Sequence, residues 1–333
     1  MPSMTASSDP QPAAVTTFTP APASAQTTSV PPPIFMPQSS PAPTPHTRIS
    51  AIPTRPAPDH HDPPQNKSTT IDLSSSSHTT NRHNPQPPDL PYPKPTLRLL
   101  IHDLTSPGTV LLLASINPSE ALRNAVASVL THLYALPPTS LSIPSTTAIP
   151  PTRSITLILR SFSGVAYTTS SDLDDDHKEI HLSTDYVAGL QGAKSSIKHE
   201  IQGVVTHEVV HCYQWTGEGT VNGGVVEGVA DWVRMRSGVG AGHWQRKWGD
   251  GNGGGWDAGY ETTGWFLDWM GEAYGGLRGK GGVVERINQA LRHGKYQEDV
   301  FWKVVVGEEV DVMWHKYGTW LSGRKGETRE EIE

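Results

Sequence analysis

The chain has 333 residues and a net charge of −7, long enough for two ordinary domains but unevenly composed. Most of its 30 prolines precede Pro95, none follows Pro151, and all 10 tryptophans lie at or beyond Trp215. A mildly acidic balance without a Lys/Arg cluster argues against a nucleic-acid or anionic-membrane surface, and no apolar run reaches the roughly 18 residues that span a bilayer.

Residues 1–94 are rich in Pro, Ser and Thr, as at Pro31 to Pro33 and Ser74 to Ser77. Such a stretch holds too little apolar surface to offset the ordering of its backbone, so disorder is expected. One folded domain is expected over residues 95–322, followed by a charged, flexible tail over 323–333. The sole cysteine, Cys212, rules out an intrachain disulfide. The first residues show neither a basic nor an apolar stretch, which makes the cytoplasm the default compartment, with unconventional secretion as the other route. The domain is expected to act as a monomer.

Leu97 to Ile101 reads as a strand, and Gly108 to Ala114 as a second, buried one. Asn117, Pro118 and Glu120 form a helix start, and Ala121 to Leu136 carries apolar residues at helical spacing until Pro137 and Pro138 stop it. A Pro/Ser/Thr loop leads to a strand at Ser154 to Leu159. Gly164 to Thr169 and Glu179 to Ser183 form a hairpin around an acidic bend from Asp172 to His177, a solvated tip rather than a cation site. His181 is an ordinary surface or edge side chain on this reading.

From Ser195 to Trp215 the pattern is helical, with Ile201, Val204, Val205, Val209 and Cys212 as its apolar stripe. A Gly-containing loop, Gly217 to Gly224, precedes a helix from Val225 to Arg236. The Gly-rich run Gly249 to Gly255 is a loop without a feeding strand, so it is no dinucleotide fingerprint. Helices follow at Tyr260 to Ala273, Gly282 to Leu291 and Val310 to Leu321; the aromatics of the last one suit a core. Strands first and helices later make the fold α+β.

His207, Glu208 and His211 spell H-E-x-x-H within this helical stretch. Histidines four apart lie one turn above each other and can share a metal ion, here one Zn2+, while Glu208 stands beside it as a base for a water. Catalytic zinc takes three protein ligands and leaves a fourth position for that water. Glu227 and Asp231, four apart on the next helix, offer carboxylates. Glu227 is the assigned third ligand, with Asp231 accepting from a ligand histidine's other ring nitrogen; the reverse assignment is the alternative. Cys212 points about 100° from His211 and suits a small buried residue better than a fourth ligand.

His207 to Trp215 followed by Val226 to Arg234 resembles the plant-type basic secretory proteins, a family of gluzincin-like zinc metallopeptidases. The likeness takes in Ile155 to Leu159, Gly164 to Ala166, Gly259 to Trp269, Ile287-Asn288 and Met313 to Tyr317, roughly residues 95–322. The chain departs from the family's name in being acidic. The resemblance implies a zincin-like domain, an active-site helix below a mixed sheet, and a peptide or protein substrate. It also implies a donor tyrosine at Tyr260, which as a bare residue could equally be packing. Glu179 to Ser183 is the strand expected to pair with substrate. The competing reading is a catalytically silent zinc-binding defence or interaction protein of the same fold.

Overall fold

The structure, a computed structural model, describes residues 69–72, 94–136, 147–249, 254–275 and 282–330. Residues 1–68 and 73–93 of the stretch expected to be disordered, 137–146 of the expected Pro/Ser/Thr loop, the centre of the Gly249 to Gly255 run and 331–333 of the expected tail lie outside these. The fold is mixed α/β, in keeping with the α+β reading. Five strands order as β1-β2-β3-β5-β4. β2 (Thr96–Ile101), β3 (Ser154–Arg160) and β5 (Asp174–Ser183) run parallel, and β1 (Thr69–Asp72) and β4 (Ala166–Ser171) close the two edges antiparallel. β1 falls inside the Pro-rich stretch expected to lack order; four residues with one isoleucine are too short an alternation to stand out. Leu97, Leu99, Ile101, Ile155, Leu157, Leu159, Ile180 and Leu182 alternate onto one buried face. The helices α2 (Pro118–Tyr134) and α4 (Lys194–His211) pack against that face.

Gly108 to Ala114 is not a strand. It belongs to helix α1 (Pro107–Ser115), with Pro107 in the first turn. A proline there is pre-set for helix, and leucines outnumber β-branched residues in the run. Gly108 is needed for contact, since a Cβ would fall 1.9 Å from the Thr184 carbonyl oxygen of helix α3 (Thr184–Gly189). That short helix follows β5 directly, capped by the Ser183 hydroxyl, and was not expected.

The hairpin turns earlier than its acidic run suggests. Asp174 to His177 already belongs to β5, because Arg153 pairs with Asp174 and Asp176 and relieves their repulsion. β5 therefore lies inside the sheet and β4 is the edge. Downstream, α5 (Gly223–Arg236), α6 (Tyr260–Tyr274), α7 (Val283–Ala290), α8 (Glu298–Val305) and α9 (Val310–Glu330) complete the domain. Phe266, Trp269, Trp314 and Tyr317 are buried together as core, with Phe266 and Trp314 edge to face at 5.2 Å. Among the described residues no helix is long and apolar enough to cross a membrane.

His181 is more than a surface side chain. Its ring stacks on Tyr167 at 4.5 Å, and Arg160 donates from Nε to its Nδ1 at 3.0 Å. Burial, and then the charges of Arg160 and His102, pull its pKa down to about 4. That value lies below the roughly 6.5 of an unfolded histidine, so the unfolded chain binds the extra proton in the interval. The stability held by neutral His181 should be intact above about pH 6.5 and lost as pH falls toward 4. Denaturant midpoints of the native chain and His181→Asn should converge as the pH is lowered; parallel profiles would disprove the linkage.

Candidate metal centre

Helix α4 is fixed at the end that carries the histidines. The Cys212 and Tyr213 carbonyls, orphaned by the end of the helix, accept from the Thr152 hydroxyl at 2.7 Å and from the Tyr134 hydroxyl. Helix α5 starts two residues before its expected beginning, because Asn222 caps it by accepting from Val225 N at 2.8 Å. Gly223 and Gly224 are therefore helical.

The two helices run antiparallel, and their partners fall in reverse order. Glu227 faces His207 and His211, Asp231 faces His207, and Arg234 reaches back to Glu200 at 3.0 Å. Glu227, Asp231 and Arg234 share one face of α5 by their spacing. Arg234 is fully buried, also donates to the Val239 carbonyl, and passes over Gly203, where a Cβ would sit 2.5 Å from its Nε. Tyr186 donates to the other oxygen of Glu200 at 2.8 Å.

One ligand atom each from His207, His211 and Glu227 lies within 4.8 Å of the others, a group that could hold a metal ion. Glu227 Oε2 is 3.0 Å from His207 Nε2 and 3.7 Å from His211 Nε2. Donors around a tetrahedral ion stand about 3.3–3.6 Å apart, so these spacings straddle the requirement. Asp231 sits on the far side of the His207 ring, its Oδ1 2.6 Å from Nδ1. That contact directs Nε2 toward Glu227 and His211. Cys212 stays out of the group; it is buried, and its thiol points at the Glu208 carbonyl.

The charges fit a cation. Glu227 and Asp231 bring two carboxylates to two imidazoles, and no lysine or arginine pairs with either among the described residues. Without an ion His207 answers instead. Burial would pull the His207 pKa down, but Asp231 and Glu227 outweigh it and hold it up at about 10. Burial would likewise raise the Glu227 carboxyl, and His211 and His207 hold it below its ordinary value. An ion would take the place of that proton.

Tyr260 opens α6 with its ring parallel to His207 at 6.2 Å. Its backbone is left-handed, with φ of 43°, a conformation that costs a non-glycine residue about 1–3 kcal/mol. Glycines on α5 make the approach possible. A Cβ on Gly224 would lie 1.8 Å from the Asp257 carbonyl oxygen, and one on Gly228 2.3 Å from Thr263 Cγ2. Thr263 accepts from Gly259 N and donates to the Trp256 carbonyl, both at 2.8 Å, which locks the turn. Burial, then the charges of Glu227, Asp231 and Glu208, push the Tyr260 phenol above its ordinary pKa. It stays protonated and able to donate.

Glu208 is buried, and sequence reasoning did not foresee its partner. Thr168 of β4 donates to its Oε2 at 2.7 Å. Strand alternation alone would place Thr168 on the helix-facing side, but the helix residue opposite it depends on packing.

The scaffold is thus mixed α/β with a partly buried, metal-competent His-His-Glu group shared by two adjacent helices. The family model for BSP, a peptidase of plants and bacteria, matches residues 94–317, and the chain belongs to that family of peptidases. No curated protein and no solved structure matches it.

Gly228→Ala should push Thr263, and with it α6, off α5. Denaturant unfolding should show a loss of about 1–3 kcal/mol, and an unchanged midpoint would mean the helices do not depend on this contact.

Proposed function

We propose that the chain is a zinc-dependent peptidase of zincin-like fold, with His207, His211 and Glu227 as ligands, Glu208 as general base, and a peptide or protein as substrate. The observation that carries this reading is the convergence of the three donor atoms, with Asp231 behind His207 and Glu208 following His207 in the chain. Two imidazoles and one carboxylate are a common catalytic zinc set that leaves room for water. A closed structural site would want a fourth protein donor, and the group has three among the described residues. This favours catalysis over the silent defence or interaction reading.

Bound there, zinc supplies Lewis acidity that polarises a carbonyl and acidifies water. Glu208 accepts the proton of the attacking water and returns it to the leaving amine. Its Oε2 is taken by Thr168, which leaves Oε1 for the proton. Tyr260, held protonated by burial and then by the surrounding carboxylates, donates to the oxygen that gains charge. Asp231 keeps the His207 ring turned, with Nδ1 as its donor. The substrate lies along β4, the exposed edge, instead of the inner strand β5 that the sequence suggested.

Glu208→Gln tests the base. Zinc should remain near one per chain by metal analysis while cleavage of a peptide library disappears; surviving cleavage would overturn the assignment. Asp231→Asn tests the orientation of His207. Zinc affinity by calorimetry should fall roughly 10- to 100-fold, and an unaltered affinity would count against Asp231 as the orienting group.

A further inference from the structure

Thr168 Oγ1 lies 2.7 Å from Glu208 Oε2 and 3.0 Å from the Glu208 carbonyl oxygen. A hydroxyl has one hydrogen, so it satisfies one of these acceptors fully. The carboxylate contact is the shorter one, and hydrogen bonds to an ionised acceptor are about twice as strong as neutral ones. The proton therefore goes to Oε2.

Thr168 does not belong to the helices that carry the site. It pairs in register with Ile180 on the helix-facing side of β4, while Tyr167 and Thr169 alternate to the other side. β4 is the sheet edge beside α4, and among the described residues it meets the rest of the sheet through β5 alone. The base is thus hydrogen-bonded to the strand that is free to receive an extended chain. With Oε2 held, rotation of the Glu208 carboxylate is restricted and Oε1 is presented to the proton.

We propose that Thr168 is a positioning residue for Glu208: its hydroxyl fixes the carboxylate and ties the angle of the base to the seating of β4. A substrate that pairs along β4 would then align the base by the same act that binds it. The proposal rests on the peptidase reading and adds to it how β4 governs the base. Misplacing a general base by a fraction of an ångström slows turnover without weakening the pairing of substrate to β4.

The experiment uses the full-length zinc-loaded chain and one quenched-fluorescence peptide selected from the library digest. Thr168→Val keeps the shape and removes the hydroxyl. It should lower kcat roughly 10- to 100-fold with KM within about twofold, zinc content and melting temperature unaltered. Thr168→Ser should restore most of kcat. A native kcat in Thr168→Val, or a serine variant no better than valine, would overturn the proposal. Should the valine variant fail to fold, threonine-labelled native protein decides by NMR. A hydroxyl proton protected from exchange, with cross-relaxation to the Glu208 side chain, supports the hydrogen bond; rapid exchange without it refutes it. The two readings fail separately. Cleavage by Glu208→Gln sinks the base itself, whereas an inert Glu208→Gln with a fully active Thr168→Val sinks only the role of Thr168.

Discussion

The site depends on the register of α4 against α5. That register is held at one end by Arg234 and Glu200 and at the other by the carboxylate–imidazole contacts of Glu227 and Asp231. Arg234 has lost its water and has its fork divided between Glu200 and the Val239 carbonyl. A buried ion pair of this kind adds little net stability over an apolar isostere, but a mismatched register would leave its charge unpaired, a penalty of several kcal/mol. Sliding α5 by one turn would break both ends together. The pair thus acts as a gauge that puts Glu227 opposite the two histidines, and Gly203 is the space that lets the gauge lie flat.

The third helix is set by contact in place of charge. Gly224 and Gly228 expose the backbone of α5, and the turn from Trp256 to Thr263 lies directly on it. The left-handed backbone at Tyr260 follows from that approach: the chain must enter α6 steeply to bring the ring parallel to His207. Its strain is tolerated because Thr263 secures the turn on both sides. Three helices therefore reach one small volume by two different means, and the result concentrates negative charge that a cation would balance.

Much of this was legible in the sequence. The spacing of His207, Glu208 and His211 requires only that the segment be helical, and Glu227 and Asp231 require only a second helix folded back on it. Local periodicity carries both facts. The elements that were missed turn on longer-range matters. Gly108 to Ala114 is apolar but for Thr109, so its period says little, and its helix is selected by Pro107 and by packing under Thr184. The hairpin was visible but its place in the sheet was not, because the crossover that puts β5 inside and β4 outside is a property of topology. β1 is too short to signal itself. Thr168 looked like any strand threonine, since its meaning comes from the helix residue it meets.

That last case bears on how such a site works. His207, Glu208, His211 and Glu227 sit on helices whose mutual register is specified at both ends by charged contacts. Among the described residues β4 pairs with one strand, β5, and ends the sheet. Edge strands present unpaired backbone groups that an incoming chain can satisfy. The Thr168–Glu208 hydrogen bond joins that edge to the helix that carries His207 and His211, so on the proposed reading a chain paired along β4 would act on the site through this one contact.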